Sequence, residues 1–380
     1  MKKVLFLTRH YLSDNNGGAN ATKGFVHAFA RLFDDLVLIY PEHDNEDNSN
    51  FVPQSVKCIP CFDHRSKIQK GLDVYRGRLH RLTDFVRRHL GGCKYDIIVI
   101  DHSLTAASLI ENIKATGAKI ITIHHNVERF YMKDNLPPLA YRLPMMYYSS
   151  KAETAALLAS DINFTLTEND AQVFVSWYPQ RNLHVHNIGI CEFRHLADKS
   201  FPQKKKGRTF IITGSLCFKQ SNRPIVEFMK NYYEILLKAC PDCKLIIAGR
   251  NPSMEILDIC RDKQNVMVIG NPEDMNVLLE GADYYLCPIN AGSGIKLRVI
   301  DGLKHGLPIL CHSVSAVGYE TFRNNRQLFE YNDQNSFYTS VNQMLMADIN
   351  PNDIYNTFKE EFSVESLAMK LHRIIQNVLL

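Results

Sequence analysis

Residues 287–311, CPINAGSGIKLRVIDGLKHGLPILC, set two cations and one carboxylate just behind a glycine loop. Gly292, Ser293 and Gly294 can expose backbone N–H groups at the start of a helix expected to begin near Ile295, a place where anions are favoured. Lys296 and Arg298 add fixed positive charge, and Asp301 offers two acceptors to a diol such as a ribose. The set suits a nucleoside diphosphate, with phosphate at the helix start and ribose one to two turns along. A solvated helix face also explains charges, but aspartate is a poor mid-helix residue without a partner or ligand.

A second group is TIHHNVERF, residues 122–130. His124, His125, Asn126 and Glu128 follow an apolar strand at the edge where ligands bind in alternating folds. Metal binding fits less well, because consecutive side chains on an extended segment point to opposite faces. A third is SDNNGGANAT, residues 13–22, where Gly17 and Gly18 allow backbone approach ahead of a helix N-terminus. It lacks the three-glycine dinucleotide fingerprint, so a nicotinamide-dependent oxidoreductase rests on alternation alone. In the basic stretch RSKIQKGLDVYRGRLHRLTDFVRRHL, Ile68, Leu72, Tyr75, Leu79, Leu82, Val86 and Leu90 form a stripe read as core. Its basic face suits either solvent or anionic lipid. Residues 130–150 add aromatics and methionines that can line an acceptor or membrane surface, or simply pack.

The elements that must position these groups alternate along the whole chain. KVLFLT, DLVLIY, DIIVID, KIITIH and INFTLT read as buried parallel strands, apolar on both faces, separated by helical stretches such as ATKGFVHAFARLF. After an aperiodic segment ending in FPQKKKG, the alternation restarts with TFIITGS, KLIIAGR, VMVIG, YYLCPI, LPILCHS and QLFEYN. The reading is α/β: two doubly wound, Rossmann-like domains facing each other across a cleft, over 1–190 and 208–362, with a linker at 191–207. The helix at 363–380 is expected to return to the first domain.

At 380 residues the chain suits two domains, and a net charge of +4 argues against a general nucleic-acid binder. The opening MKKVLFLTRHYL has its apolar run cut short by Arg9 and His10. No run reaches the roughly 18 apolar residues of a membrane span. A cytoplasmic protein, touching a membrane at its inner face at most, is expected. The ten cysteines read as buried thiols, and the pairs Cys58/Cys61 and Cys240/Cys243 fall in different expected domains, which disfavours a shared zinc site.

Together these motifs resemble the GT-B glycosyltransferases, in particular family 4, over nearly the whole chain. TGSLCFKQSNRPIVEF, LIIAGRNP, the run from NVMVIG to GLPIL, VGYE and HHNVE stand in that family's order, the last glycine motif resembling G-S-G-T-R-L-K-I-L-E-A-M-A-x-G-x-P. The resemblance implies a retaining transfer of a hexose-type sugar from a nucleotide-sugar to an acceptor hydroxyl, in polysaccharide or glycolipid biosynthesis. It implies no cofactor and no metal; the nucleotide-sugar is a co-substrate and the acceptor a saccharide or lipid-linked saccharide. Asp301 then falls at the ribose-binding glutamate, Lys296 and Arg298 at basic positions suited to the diphosphate, and Gly17 and Gly18 at the loop closing over it. His125, or its neighbour His124, matches a histidine near the reacting sugar, with Asn126 and Glu128 on the acceptor side. The family's first glutamate has no counterpart: Asn290, Ala291 and Ser293 occupy its region. Ser215 stands where relatives carry an arginine, and Lys219 approximates their lysine. The missing glutamate leaves an alternative, a catalytically weak homologue that serves as a binding or scaffold subunit.

Overall fold

The computed structural model describes residues 2–14, 16–44, 49–194, 196–202, 207–217, 219–292 and 294–379. The chain divides into two compact units, residues 1–196 with 361–380, and residues 197–360.

The first unit holds a seven-stranded, all-parallel sheet. Its strands are β1 (Lys3–Thr8), β2 (Asp35–Glu42), β3 (Lys57–Phe62), β4 (Ile97–Asp101), β5 (Lys119–His124), β6 (Ile162–Thr165) and β7 (Val185–Asn187), in the order β3-β2-β1-β4-β5-β6-β7. Beside it lie α1 (Gly17–Ala30), α2 (Lys67–Tyr75), α3 (Thr83–Gly92), α4 (Glu128–Asp134) and α5 (Arg142–Ala159). The central strands are buried along almost their whole length, as strands covered on both faces must be. Asn16 caps α1, accepting from the Ala19 amide at 3.0 Å.

The second unit repeats the plan with six parallel strands. These are β8 (Thr209–Ser215), β9 (Lys244–Arg250), β10 (Val266–Gly270), β11 (Tyr284–Cys287), β12 (Ile309–His312) and β13 (Leu328–Tyr331), in the order β10-β9-β8-β11-β12-β13. Here α6 (Lys219–Asn231) follows β8 and α7 (Arg298–Leu303) precedes β12. A last helix, α8 (Val364–Leu379), belongs to the first unit. It buries Val364, Leu367, Ala368, Leu371 and Ile375 at helical spacing, packs along α1, and carries the Arg31–Glu365 ion pair.

All eleven strands expected from the apolar runs are present, and two more appear. β3 carries Pro60, a residue that weakens the sequence signal for a strand. It lies at the edge of the sheet with one neighbour, β2, the position in which proline is best accommodated. β7, the other edge, is too short to show a period. The stripe from Ile68 to Leu90 is not one core face. It breaks between α2 and α3, where Gly77 takes φ +72°. Leu82 and Val86 are fully buried, but Ile68 is 77% exposed and Leu72 and Tyr75 are half exposed. The ten cysteines are all free, most of them buried. No helix among the described residues is long and apolar enough to cross a membrane. Of the basic run ahead of β8, Lys204, Lys205 and Lys206 lie outside the described residues.

Candidate functional site

In each sheet the strand order reverses once, between β1 and β4 and between β8 and β11. At such a point the loops leaving the carboxyl ends diverge and open a crevice, where ligands bind in this class of sheet.

At the first reversal Thr8 and Asp101, the last residues of β1 and β4, are register partners. Asp101 is fully buried. Its Oδ2 accepts from Thr8 Oγ1 at 2.7 Å and Thr22 Oγ1 at 2.5 Å, and its Oδ1 lies 2.7 Å from His125 Nε2. Burial by itself pushes this carboxyl up. The charge and hydrogen bond of His125, with His10 and Thr22, outweigh that and hold it below the usual carboxylate range. In the neutral form of the His125 ring, an ionised Asp101 carboxylate keeps the hydrogen on Nε2, which leaves Nδ1 as the acceptor. The ring also stacks on His10 at 5.2 Å and lies 5.3 Å from His102. Burial drives His10 down to about 3 and His102 well below its ordinary value, so both are neutral near pH 7. A Cβ on Gly18 would sit 2.4 Å from His10 Cε1: this glycine makes room for the imidazole. Gly17, at the start of α1, is exposed.

His10, Asp101 and His125 bring ligand atoms within 4.8 Å of one another, a spacing that can hold a metal ion. Both Asp101 oxygens and His125 Nε2 are already hydrogen-bonded to each other and to the two threonines, so a cation would have to displace the His125–Asp101 bond.

His124 is placed elsewhere. It is fully buried, its Nε2 pairs with Asn163 Oδ1 at 3.0 Å, its ring packs on Phe174, and its Nδ1 is buried with no hydrogen-bond partner among the described residues. Asn126 is half-buried between β5 and α4. Glu128, at the start of α4, is 1% exposed with Oε1 3.3 Å from His102 Nε2. Its amide donates to Glu153 Oε1 at 2.5 Å. Burial raises Glu128 to about 8, against the pull of Arg9, and raises Glu153 to about 7. Between about pH 4.3, where an unfolded glutamate titrates, and about pH 8, the folded protein keeps a proton the unfolded chain has lost. Stability therefore falls as pH rises through that window and levels above it. Glu128→Gln keeps the neutral shape and removes the titration. Its gain in melting temperature over wild type is expected to grow from about pH 5 to about pH 8 and then level off, as thermal melts across that range will show.

At the second reversal α7 begins at Arg298, three residues later than expected, so Lys296 stands in the loop and not on the helix. Gly292 and Gly294 take φ +92° and +71°, and Lys296 Nζ donates to their carbonyls at 2.8 and 2.9 Å. The loop thus turns these two carbonyls toward an ammonium. Arg298 Nη1 donates to Thr213 O at 3.0 Å, on β8. A Cβ on Gly214 would fall 1.7 Å from that nitrogen. Asp301 is exposed, and its Oδ2 lies 3.4 Å from Thr213 Oγ1, which also meets the Tyr285 hydroxyl at 2.7 Å. Arg298 and Asp301 are thus gathered around the end of β8. Ser215 closes that strand, 3.6 Å from Cys217 Sγ, and Lys219 opens α6. Ser293 lies outside the described residues. Gly214→Ala must therefore expel the Arg298 guanidinium from beside the Thr213 carbonyl.

Asp101, Thr8, Thr22, His10 and His102 at the first reversal, and Thr213, Gly214 and Tyr285 at the second, are contributors that the motif reading passed over. Most of them end or follow apolar strands, and a polar residue at such an end was the available signal.

Comparison with known proteins bears on the same regions. Residues 207–347 match the family model for glycosyl transferases group 1. No curated protein sequence matches the chain. Among solved structures, Anabaena HepE in complex with UDP and glucose superposes with a TM-score of 0.64 at 10% identity, covering 99% of this chain and 100% of its own. S. aureus TarM, in complex with fondaparinux, α-GlcNAc-glycerol and UDP, gives 0.65 at 10% identity, covering 98% and 99%. The lipopolysaccharide outer core galactosyltransferase WaaB gives 0.67 at 11% identity, covering 99% and 100%. The two-sheet α/β fold is the one these GT-B glycosyltransferases share.

Proposed function

We propose that the protein is a retaining glycosyltransferase that moves a hexose-type sugar from a nucleotide-sugar to an acceptor hydroxyl in polysaccharide or glycolipid biosynthesis. The observation that carries this reading is the second reversal point, where a guanidinium and a carboxylate converge on the end of β8 within the residues matched by the family model. As the glycosidic bond breaks, negative charge gathers on the departing nucleoside diphosphate. Arg298, with Lys296 once its ammonium turns from the loop carbonyls, would stabilise that charge, and Asp301 would accept from the ribose hydroxyls. In the first unit Asp101 holds His125 so that Nδ1 can accept from a sugar hydroxyl, with Asn126 nearby. Solved structures of the same fold hold UDP and glucose in HepE, and UDP with α-GlcNAc-glycerol in TarM, which supports the substrate class.

The acceptor we favour is a saccharide or a lipid-linked saccharide, the latter bringing the protein to the inner face of an anionic membrane. The reaction needs no metal in this reading, because fixed cations serve the leaving group. Purified protein given a panel of nucleotide-sugars is expected to release nucleoside diphosphate, and an excess of EDTA is expected to leave that rate within about twofold. Loss of activity on chelation, restored by a divalent cation, would instead turn attention to His10, Asp101 and His125. One observation favours a non-catalytic binding subunit: Asn290 and Ala291 stand where a carboxylate would serve the sugar. Nucleotide binding with no turnover of any donor would establish that reading.

A further inference from the structure

We infer that the face of the first unit built by α2 and the start of α5 docks on an anionic lipid surface. This deepens the acceptor side of the proposed function, yet it concerns a surface remote in kind from the transfer chemistry, so the two can fail separately.

Ile68, Leu72 and Tyr75 follow one another at spacings of four and three along α2, which puts them on one side of the helix. A soluble helix turns such a stripe to the core; this one turns it to solvent. Leu139, Leu143 and Tyr147 do the same at intervals of four, 81%, 80% and 61% exposed. Apolar side chains gathered in this way mark an interaction surface, unlike scattered exposed leucines.

The two stripes belong to one surface because tyrosines pin the helices together. Tyr75 Oη donates to Ala140 O at 2.5 Å, and Tyr148 Oη donates to Tyr75 O at 3.1 Å. Gly71 leaves room for the Tyr141 hydroxyl and Gly77 for the Tyr148 ring.

Charge selects the occupant. Lys67 and Arg76 flank the α2 stripe and Lys151 continues the α5 series one turn beyond Tyr147, all exposed and without an ion pair among the described residues. The nearby acids are already matched. Asp63 and Asp73 are almost buried and pair with Arg65, and Asp84 faces Arg78 and Arg87. Apolar side chains rimmed by unpaired cations match an anionic bilayer surface, with acyl chains below the phosphates. A second copy fits worse, since a two-fold contact through the same patch would bring like cations together.

The test is flotation of the full chain with vesicles of phosphatidylcholine, or of phosphatidylcholine mixed with phosphatidylglycerol. Wild type is expected to float with the mixed vesicles, less at high salt, and not with phosphatidylcholine alone. Leu139→Ser with Leu143→Ser is expected to lower the partition coefficient at least about tenfold. Lys67→Glu with Arg76→Glu should lower it by about fivefold or more per residue. All four side chains are exposed or half-exposed, so unchanged melting temperatures will show the folds intact. Wild type that stays with the unbound fraction, or variants that float as wild type does, would overturn the inference. So would a wild-type dimer that the serine pair dissolves, because the patch would then belong to a second copy.

Discussion

Asp101→Asn is expected to cut sugar transfer at least about a hundredfold while leaving the protein folded. The reason is the direction of one hydrogen bond. Asp101 accepts from Thr8, Thr22 and His125 together, and a carboxylate can do so because it only accepts. An amide offers one accepting oxygen and one donating nitrogen. With the oxygen kept on the two threonines, the nitrogen faces His125 and forces the imidazole hydrogen onto Nδ1, so the nitrogen proposed to meet a sugar hydroxyl becomes a donor. Nitrogen-15 spectra of labelled histidine will read that tautomer without any assay of transfer. A spectrum unchanged from wild type would remove the basis of the prediction. Asp101→Ala is harsher: it strands three buried donors, with an expected loss of about 3–5 kcal/mol in denaturant unfolding. The folded carboxyl is depressed, so the stability it supplies is present above about pH 3.9 and is lost as pH falls further, through its lower folded value.

The second large effect is expected at the end of β8. Each charge-assisted hydrogen bond to a ligand is worth about 1.5–3 kcal/mol, or roughly 10- to 150-fold in affinity. Arg298→Ala is expected to weaken nucleoside diphosphate binding by that factor and to flatten its dependence on salt, as titration calorimetry at two ionic strengths will show. Asp301→Ala should leave the salt dependence alone and reduce the preference for ribonucleotide over deoxyribonucleotide, because its proposed partners are hydroxyls. Identical profiles for the two variants would mean that both act through the shape of the site. Arg298 is the more exposed to a structural effect, since it also holds the Thr213 carbonyl. Arg298→Lys, which restores charge but not the fork, separates the two contributions.

The strands that matter to the site were legible because burial on both faces writes itself as an unbroken apolar run, as in DIIVID and YYLCPI. The same property hid the site's polar members. Asp101 reads as the terminus of one such run, and Thr213 and Tyr285 as interior residues of others. Only pairing of non-consecutive strands places Thr8 opposite Asp101, ninety-three positions away. The histidine pair of TIHHNVERF was visible as a pair, but which ring meets the site depends on the turn after β5: it carries His125 toward Asp101 while His124 stays in the strand and faces Asn163. The glycine loop misled in a different way. Spacing suggested amides at a helix start, whereas left-handed backbone at Gly292 and Gly294 turns carbonyls to Lys296. The stripe on α2 misled because periodicity reports a face and not what covers it.

The placement of α8 has a consequence for how the molecule is made. One side of α1, whose Phe29 packs on Phe6 of β1, is covered by a helix that is encoded after the whole of the second unit. A nascent chain can therefore complete the second sheet while the first still shows an uncovered helix face to any chaperone or neighbouring polypeptide. Folding of the first unit has to wait for a contact of very long sequence separation, the slow kind. Sealing of the first unit is thus a late event in synthesis, although its strands are among the earliest to leave the ribosome.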